Sequence, residues 1–178
     1  MEYRGFLNLS ALGDLIAVPI VITHKELNVG AEVVIKIEYK DNTYLGIGKS
    51  LEWTDAFANL QKALPDGVNI QCCMTCKHGT LCPYGNIPDY ILCSKNVVIN
   101  DKDDVIDWLD KADIEDIKRS SLSLCEQYAA SNENDYTYND YLYYLNHPPN
   151  LFCLLRDLKM LFLHRLYQYL TYKNHLLI

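Results

Sequence analysis

Five of the chain's seven cysteines fall between residues 72 and 93, and this crowding is the feature most able to do chemistry. Cys73-Met74-Thr75-Cys76 is a C-x2-C knuckle; Cys82 follows after five residues and Cys93 after ten more. A C-x2-C turn places two thiolates at adjacent corners of a tetrahedron, and a second loop or strand end supplies the remaining ligands. Gly79, Pro83 and Gly85 permit the tight turns that bring Cys82 back, and Cys93 ends a predicted strand. The spacing therefore predicts a structural zinc on Cys73, Cys76, Cys82 and Cys93, because tetrahedral four-cysteine sites select zinc. An iron–sulfur cluster uses the same ligands and is the alternative, unaccompanied here by any other redox feature. Cys72 and His78 are the neighbours able to replace one ligand, although a lone loop histidine is more often simply solvated.

Three other uses of these residues compete with a structural metal. Reduced cysteines pack as small apolar side chains, but four within 21 residues, flanked by turn formers, favour ligation. A redox dithiol needs its C-x-x-C at a helix N-terminus, which lowers the thiol pKa; the sequence after Cys76, with Gly79 and Pro83, does not read as a helix. A zinc deaminase needs H-x-E and P-C-x2-C. His24-Lys25-Glu26 fits the first, but Cys72 rather than proline precedes Cys73, and His24 falls in a strand-loop region. No enzyme signature is completed, and the class alternative to a binding module is a metalloenzyme or thiol redox protein.

The elements that must position the knuckle are strands before it and helices after it. Residues 32–40 alternate, with Val33, Ile35, Ile37 and Tyr39 on one side, as a half-buried antiparallel strand does. Asp41-Asn42 offers a turn, and residues 43–47 a hairpin partner. Residues 3–9 and 15–23 are two further strands, the second marked as an edge or a bulge by Pro19. Ser50 is a candidate N-cap for a helix carrying Trp53, Ala56, Phe57, Leu60 and Leu64 at helical spacing, stopped by Pro65-Asp66-Gly67. Residues 68–72, 90–93 and 97–99 are the remaining strands.

After Asn100 the periodicity becomes helical. Residues 101–112 place Val105, Trp108, Leu109 and Ala112 on one face. Residues 114–130 continue with Ile114 and Ile117, are interrupted at Ser121, and resume at Leu124, Cys125 and Tyr128. Five tyrosines (136, 138, 141, 143 and 144) precede a last helix over 151–178. That helix is apolar around most of its circumference, with a narrow polar stripe of Asp157, His164, Gln168, Thr171 and His175. Such a helix must be covered by its own chain or by a partner, so residues 136–178 are the expected contact to another protein or a second copy.

Residues 57–67, Cys73-Met74-Thr75-Cys76, Pro83-Tyr84-Gly85 and Cys93 together resemble an uncharacterised bacterial domain family with an L-P-x-G, C-x2-C, P-x-G and later-cysteine pattern. The resemblance spans 57–93, leaves Cys82 outside the pattern, and implies a bacterial cytosolic origin without an activity. A net charge of −7 and the lack of a basic run argue against nucleic acid. The apolar run at 15–22 is too short to span a bilayer, and residues 1–9 do not read as a secretory signal. The expectation is a cytoplasmic α+β protein: an antiparallel sheet with one helix and the metal knuckle over 1–100, and a C-terminal helical bundle over 101–178. Its expected role is a protein-interaction module, with small acidic immunity or defence-associated proteins as an analogy of size and charge.

Overall fold

The structure, a computed structural model, describes residues 1–27, 31–49, 53–83, 89–132 and 136–147. Four consecutive segments alternate apolar and polar residues, and each forms a strand with one buried face. They are β1 (Glu2–Ala11), β2 (Asp14–Glu26), β3 (Ala31–Tyr39) and β4 (Asn42–Gly48). Leu7 and Leu9, then Val18, Ile20 and Ile22, then Val33, Ile35, Ile37 and Tyr39 all point into one core. With β5 (Val68–Gln71) they make a five-stranded antiparallel sheet in the order β4-β3-β2-β1-β5.

Two turn features depart by small steps from expectation. Tyr39 pairs with Asn42, so the β3–β4 turn is Lys40-Asp41, both at positive φ (48° and 62°). That combination matches the twist of a two-residue hairpin. Pro19 lies in an interior strand, yet the β2–β3 pairing begins at Ile20, so the proline stands where the β3 ladder has ended.

Helix α1 (Thr54–Ala63) covers the buried face and sends Phe57 and Leu60 into the core. It approaches β4 so closely that a side chain at Gly46 would run into the Ala56 carbonyl and the Leu60 backbone. The expected cap, Ser50, lies outside the described residues. Trp53 stands just before the helix at φ 65°, and its carbonyl accepts from Phe57 N–H at 2.9 Å.

A second, three-stranded sheet contains β6 (Gly79–Thr80), β7 (Tyr90–Cys93) and β8 (Lys118–Ser120), in that order. Helix α2 (Lys102–Leu109) is capped by Asp101, whose carboxylate accepts from Asp103 and Asp104 N–H at 2.9 and 3.0 Å. Its Val105 and Leu109 close a small cluster on Leu92. Helices α3 (Ile114–Ile117) and α4 (Tyr141–Asn146) are one to two turns long.

The expected α+β architecture with a C-terminal helical bundle is therefore corrected. The described chain is mostly β, and its helices are short. Residues 114–130 were expected as one helix, but the helix stops at Ile117 and the next three residues pair with β7. Ser120, Ser121 and Ser123 follow, and such side chains compete with helical hydrogen bonding. The backbone of this stretch is instead bonded to the cysteine knuckle. Residues 97–99 form no strand; Val97 N–H closes a turn onto Ser94 O at 2.9 Å, and Val98 is exposed. The helix expected over 151–178 lies outside the described residues. The β7–β8 pairing crosses the boundary placed near residue 100, and residues 1–146 make one compact unit. No helix of the described residues is long and apolar enough to cross a membrane.

Candidate metal centre

The knuckle follows β5 directly. Cys72 is extended, and residues Cys73–Thr75 make a single tight turn closed by Cys76 N–H on Cys73 O at 3.3 Å. Thr75 stabilises it from inside, where its hydroxyl oxygen accepts from Cys72 N–H and lies 3.0 Å from the Ile70 carbonyl. The Tyr128 hydroxyl sits 3.2 Å from the same oxygen. Asn139, itself buried, donates to Met74 O at 2.8 Å. A turn this short leaves many backbone groups without partners of its own, and distant segments supply them.

The main supplier is the stretch after β8. Cys73 N–H donates to Ser123 O at 2.7 Å, Met74 N–H to Ser121 O at 3.0 Å, and Lys77 N–H to Ala129 O at 2.9 Å. Cys76 and Ala130 form an isolated antiparallel bridge. Between these anchors Cys125 sits on its own turn, closed by Tyr128 N–H on Cys125 O at 3.0 Å.

Beside the knuckle is a cavity of about 10 Å³, room for one water-sized particle. Cys73, Cys76, Cys93 and Cys125 all line it, together with His78 and Lys95. Three of the four cysteines expected as zinc ligands thus line one cavity, and all four that line it are unpaired by disulfides. Among the described residues no group of three or more His, Cys, Asp or Glu side chains is placed so that it could hold a metal ion. Cys73 is pushed up to about 12, first by burial and then by the neighbouring thiols of Cys72, Cys76, Cys93 and Cys125. Crowded, desolvated thiols resist ionising one at a time; a bound cation reverses that preference by stabilising the thiolates. A catalytic dithiol needs the opposite, a depressed pKa.

No family model, curated protein or solved structure matches the chain. The centre is therefore read from its own geometry.

Cys82 is not at this cavity. In the β6–β7 pairing Gly79 faces Cys93 and Thr80 faces Leu92. Side chains alternate along a strand, so Ile91 and Cys93 point to the knuckle while Leu92 points to the opposite cluster. Cys82, two residues past Thr80, falls on the Leu92 side and packs against the cluster of Leu92, Val105 and Leu109. Cys72 is wholly buried in the main core, and burial pushes its thiol up to about 11. His78 remains at the cavity edge, with its carbonyl accepting from Ser94 N–H at 2.9 Å. Cys125 was not singled out from sequence, because Leu124, Cys125 and Tyr128 fit a helical stripe. The serines at 120, 121 and 123 were the available sign that the stripe is broken there.

The approach of β6 to the knuckle is close enough to test. A side chain at Gly79 would run into the Cys73 carbonyl and press on Ile91 and the Cys76 carbonyl. Gly79→Ala is expected to lower stability by about 1–3 kcal/mol, because backbone must move to admit the methyl group. Chemical denaturation measures it; a loss below about 0.5 kcal/mol, the size of a neutral surface change, would show that the turn is looser than described.

Proposed function

We propose that this chain is a cytoplasmic protein-binding module stabilised by one structural zinc, comparable in size and charge to immunity and defence-associated proteins. The observation that carries the metal is the ion-sized cavity onto which Cys73, Cys76 and Cys93 open from two separate elements. The partner is a protein or a second copy of the chain, engaged through residues 136–178. Of the tyrosines there, Tyr141 is buried against the core, whereas Tyr136 and Tyr143 are exposed; exposed tyrosines provide large contact area at low entropic cost. A net charge of −7 supports a protein rather than nucleic acid as the ligand.

Elemental analysis of the purified chain is expected to find one zinc per chain. X-ray absorption at the zinc edge is expected to show four protein ligands and no water. A metal-free chain sinks the proposal. Three protein ligands plus water would instead point to a metalloenzyme, because catalytic zinc keeps one open position. Light scattering on the same sample distinguishes a second copy from a different protein as the partner.

A further inference from the structure

We infer that the fourth thiolate of the zinc centre is Cys125, so that the ligand set is Cys73, Cys76, Cys93 and Cys125 and excludes Cys82. This rests on the structural-zinc proposal and specifies its coordination. Cys125 lines the same small cavity as the other three cysteines, whereas Cys82 lines a separate one with Leu81, Pro83 and Tyr138. The placement of Cys125 is not incidental to one side chain. Its turn is fastened on one side by the Ser123 carbonyl to Cys73 N–H and on the other by the Ala129 carbonyl to Lys77 N–H. The two ends of the knuckle are thus the two anchors of the Cys125 turn, which holds that turn beside the knuckle.

The arrangement follows the usual logic of a structural site. Two ligands come from a C-x2-C turn, one from a strand end and one from a distant turn, and the four enclose the ion. Each thiol gives up its proton on binding, so zinc with four thiolates carries a net charge of −2. Lys95 lines the cavity, where its cation offsets part of that charge. Among the described residues the thiols do not stand at coordinating positions, so the proposed shell requires side chains to turn toward the ion. Of the four cysteines Cys125 is the exposed one. Closure would cross-link the knuckle to the segment after β8, which is otherwise held to it by hydrogen bonds from backbone and from the hydroxyls of Tyr128 and Ser131.

The test compares zinc retention by the full-length chain and its variants in a competition with a chromogenic chelator. Cys125→Ser is expected to lose at least about 100-fold in zinc affinity, the upper range seen when even an outer-shell partner of a metal is removed. Cys82→Ser is expected to bind zinc as the wild type does. Because Cys125→Ser could fail to fold, Cys125→His is the companion variant: zinc accepts three cysteines and one histidine. It is expected to retain zinc, with X-ray absorption changing from four sulfurs to three sulfurs and one nitrogen. Wild-type zinc affinity in Cys125→Ser, an unchanged four-sulfur shell in Cys125→His, or loss of zinc in Cys82→Ser or His78→Ala overturns the assignment while leaving the structural zinc in place. A wild-type chain without zinc overturns both.

Discussion

Stripping zinc from the folded chain is expected to lower its melting temperature by about 8–16 °C. A ligand present at a thousandfold its Kd stabilises the native state by about 4 kcal/mol, and in a chain of 178 residues each kcal/mol shifts Tm by about 2–4 °C. The loss should be uneven. Strands β1 to β4 and helix α1 bury a continuous apolar core that includes Leu7, Ile20, Ile35 and Phe57, which does not depend on the cysteines. The knuckle and residues 121–131 are joined by backbone hydrogen bonds and few large buried side chains. Hydrogen exchange after chelation is therefore expected to rise first in residues 73–79 and 121–131, while the five-stranded sheet stays protected. Uniform loss of protection would show that the metal supports the whole fold. No change in Tm would show that it supports none of it.

Phe57→Ala is expected to cost about 3–5 kcal/mol, through the lost transfer free energy and the cavity left behind. Phe57 is fully buried on α1, the helix that covers the inner face of the five-stranded sheet. Its site cannot collapse easily. The helix already touches β4 at Gly46, where Ala56 and Leu60 leave no room for a side chain, so α1 cannot move closer to fill the hole. Against a total stability of about 5–15 kcal/mol, this loss moves the urea midpoint sharply with little change in slope. Leu15→Ala is the control; Leu15 is 56% exposed, and a change there is expected to stay within about 0.5 kcal/mol. A Phe57→Ala loss under about 1 kcal/mol would mean that α1 is not seated as described.

The strands were legible because the signal that defines them is local. Val33, Ile35, Ile37 and Tyr39 recur every second residue, and no distant partner is needed to know that they share a face. The same holds for α2, where Asp101 precedes Val105 and Leu109 at helical spacing. The segment after Ile117 misled for the same reason. Leu124, Cys125 and Tyr128 have helical spacing, but their backbone is claimed by the knuckle, and tertiary hydrogen bonds override a weak local preference. Strand order and the local end of the β3 ladder at Pro19 were likewise invisible, since both depend on which strands meet.

The proposed metal centre divides along the same line. Composition and spacing determined by themselves that five cysteines crowd between residues 72 and 93, and that Cys73 and Cys76 share one turn. Only the tertiary structure decided which other thiols line the cavity beside them. The register of Gly79 against Cys93 turns Cys93 toward the knuckle and carries Cys82 to the other side of the small sheet. Ser123 and Ala129 then bring in Cys125 from a part of the chain that spacing alone assigned to a helix. A turn is encoded by neighbours in sequence, but the closing of a coordination shell depends on pairings between segments far apart in the chain.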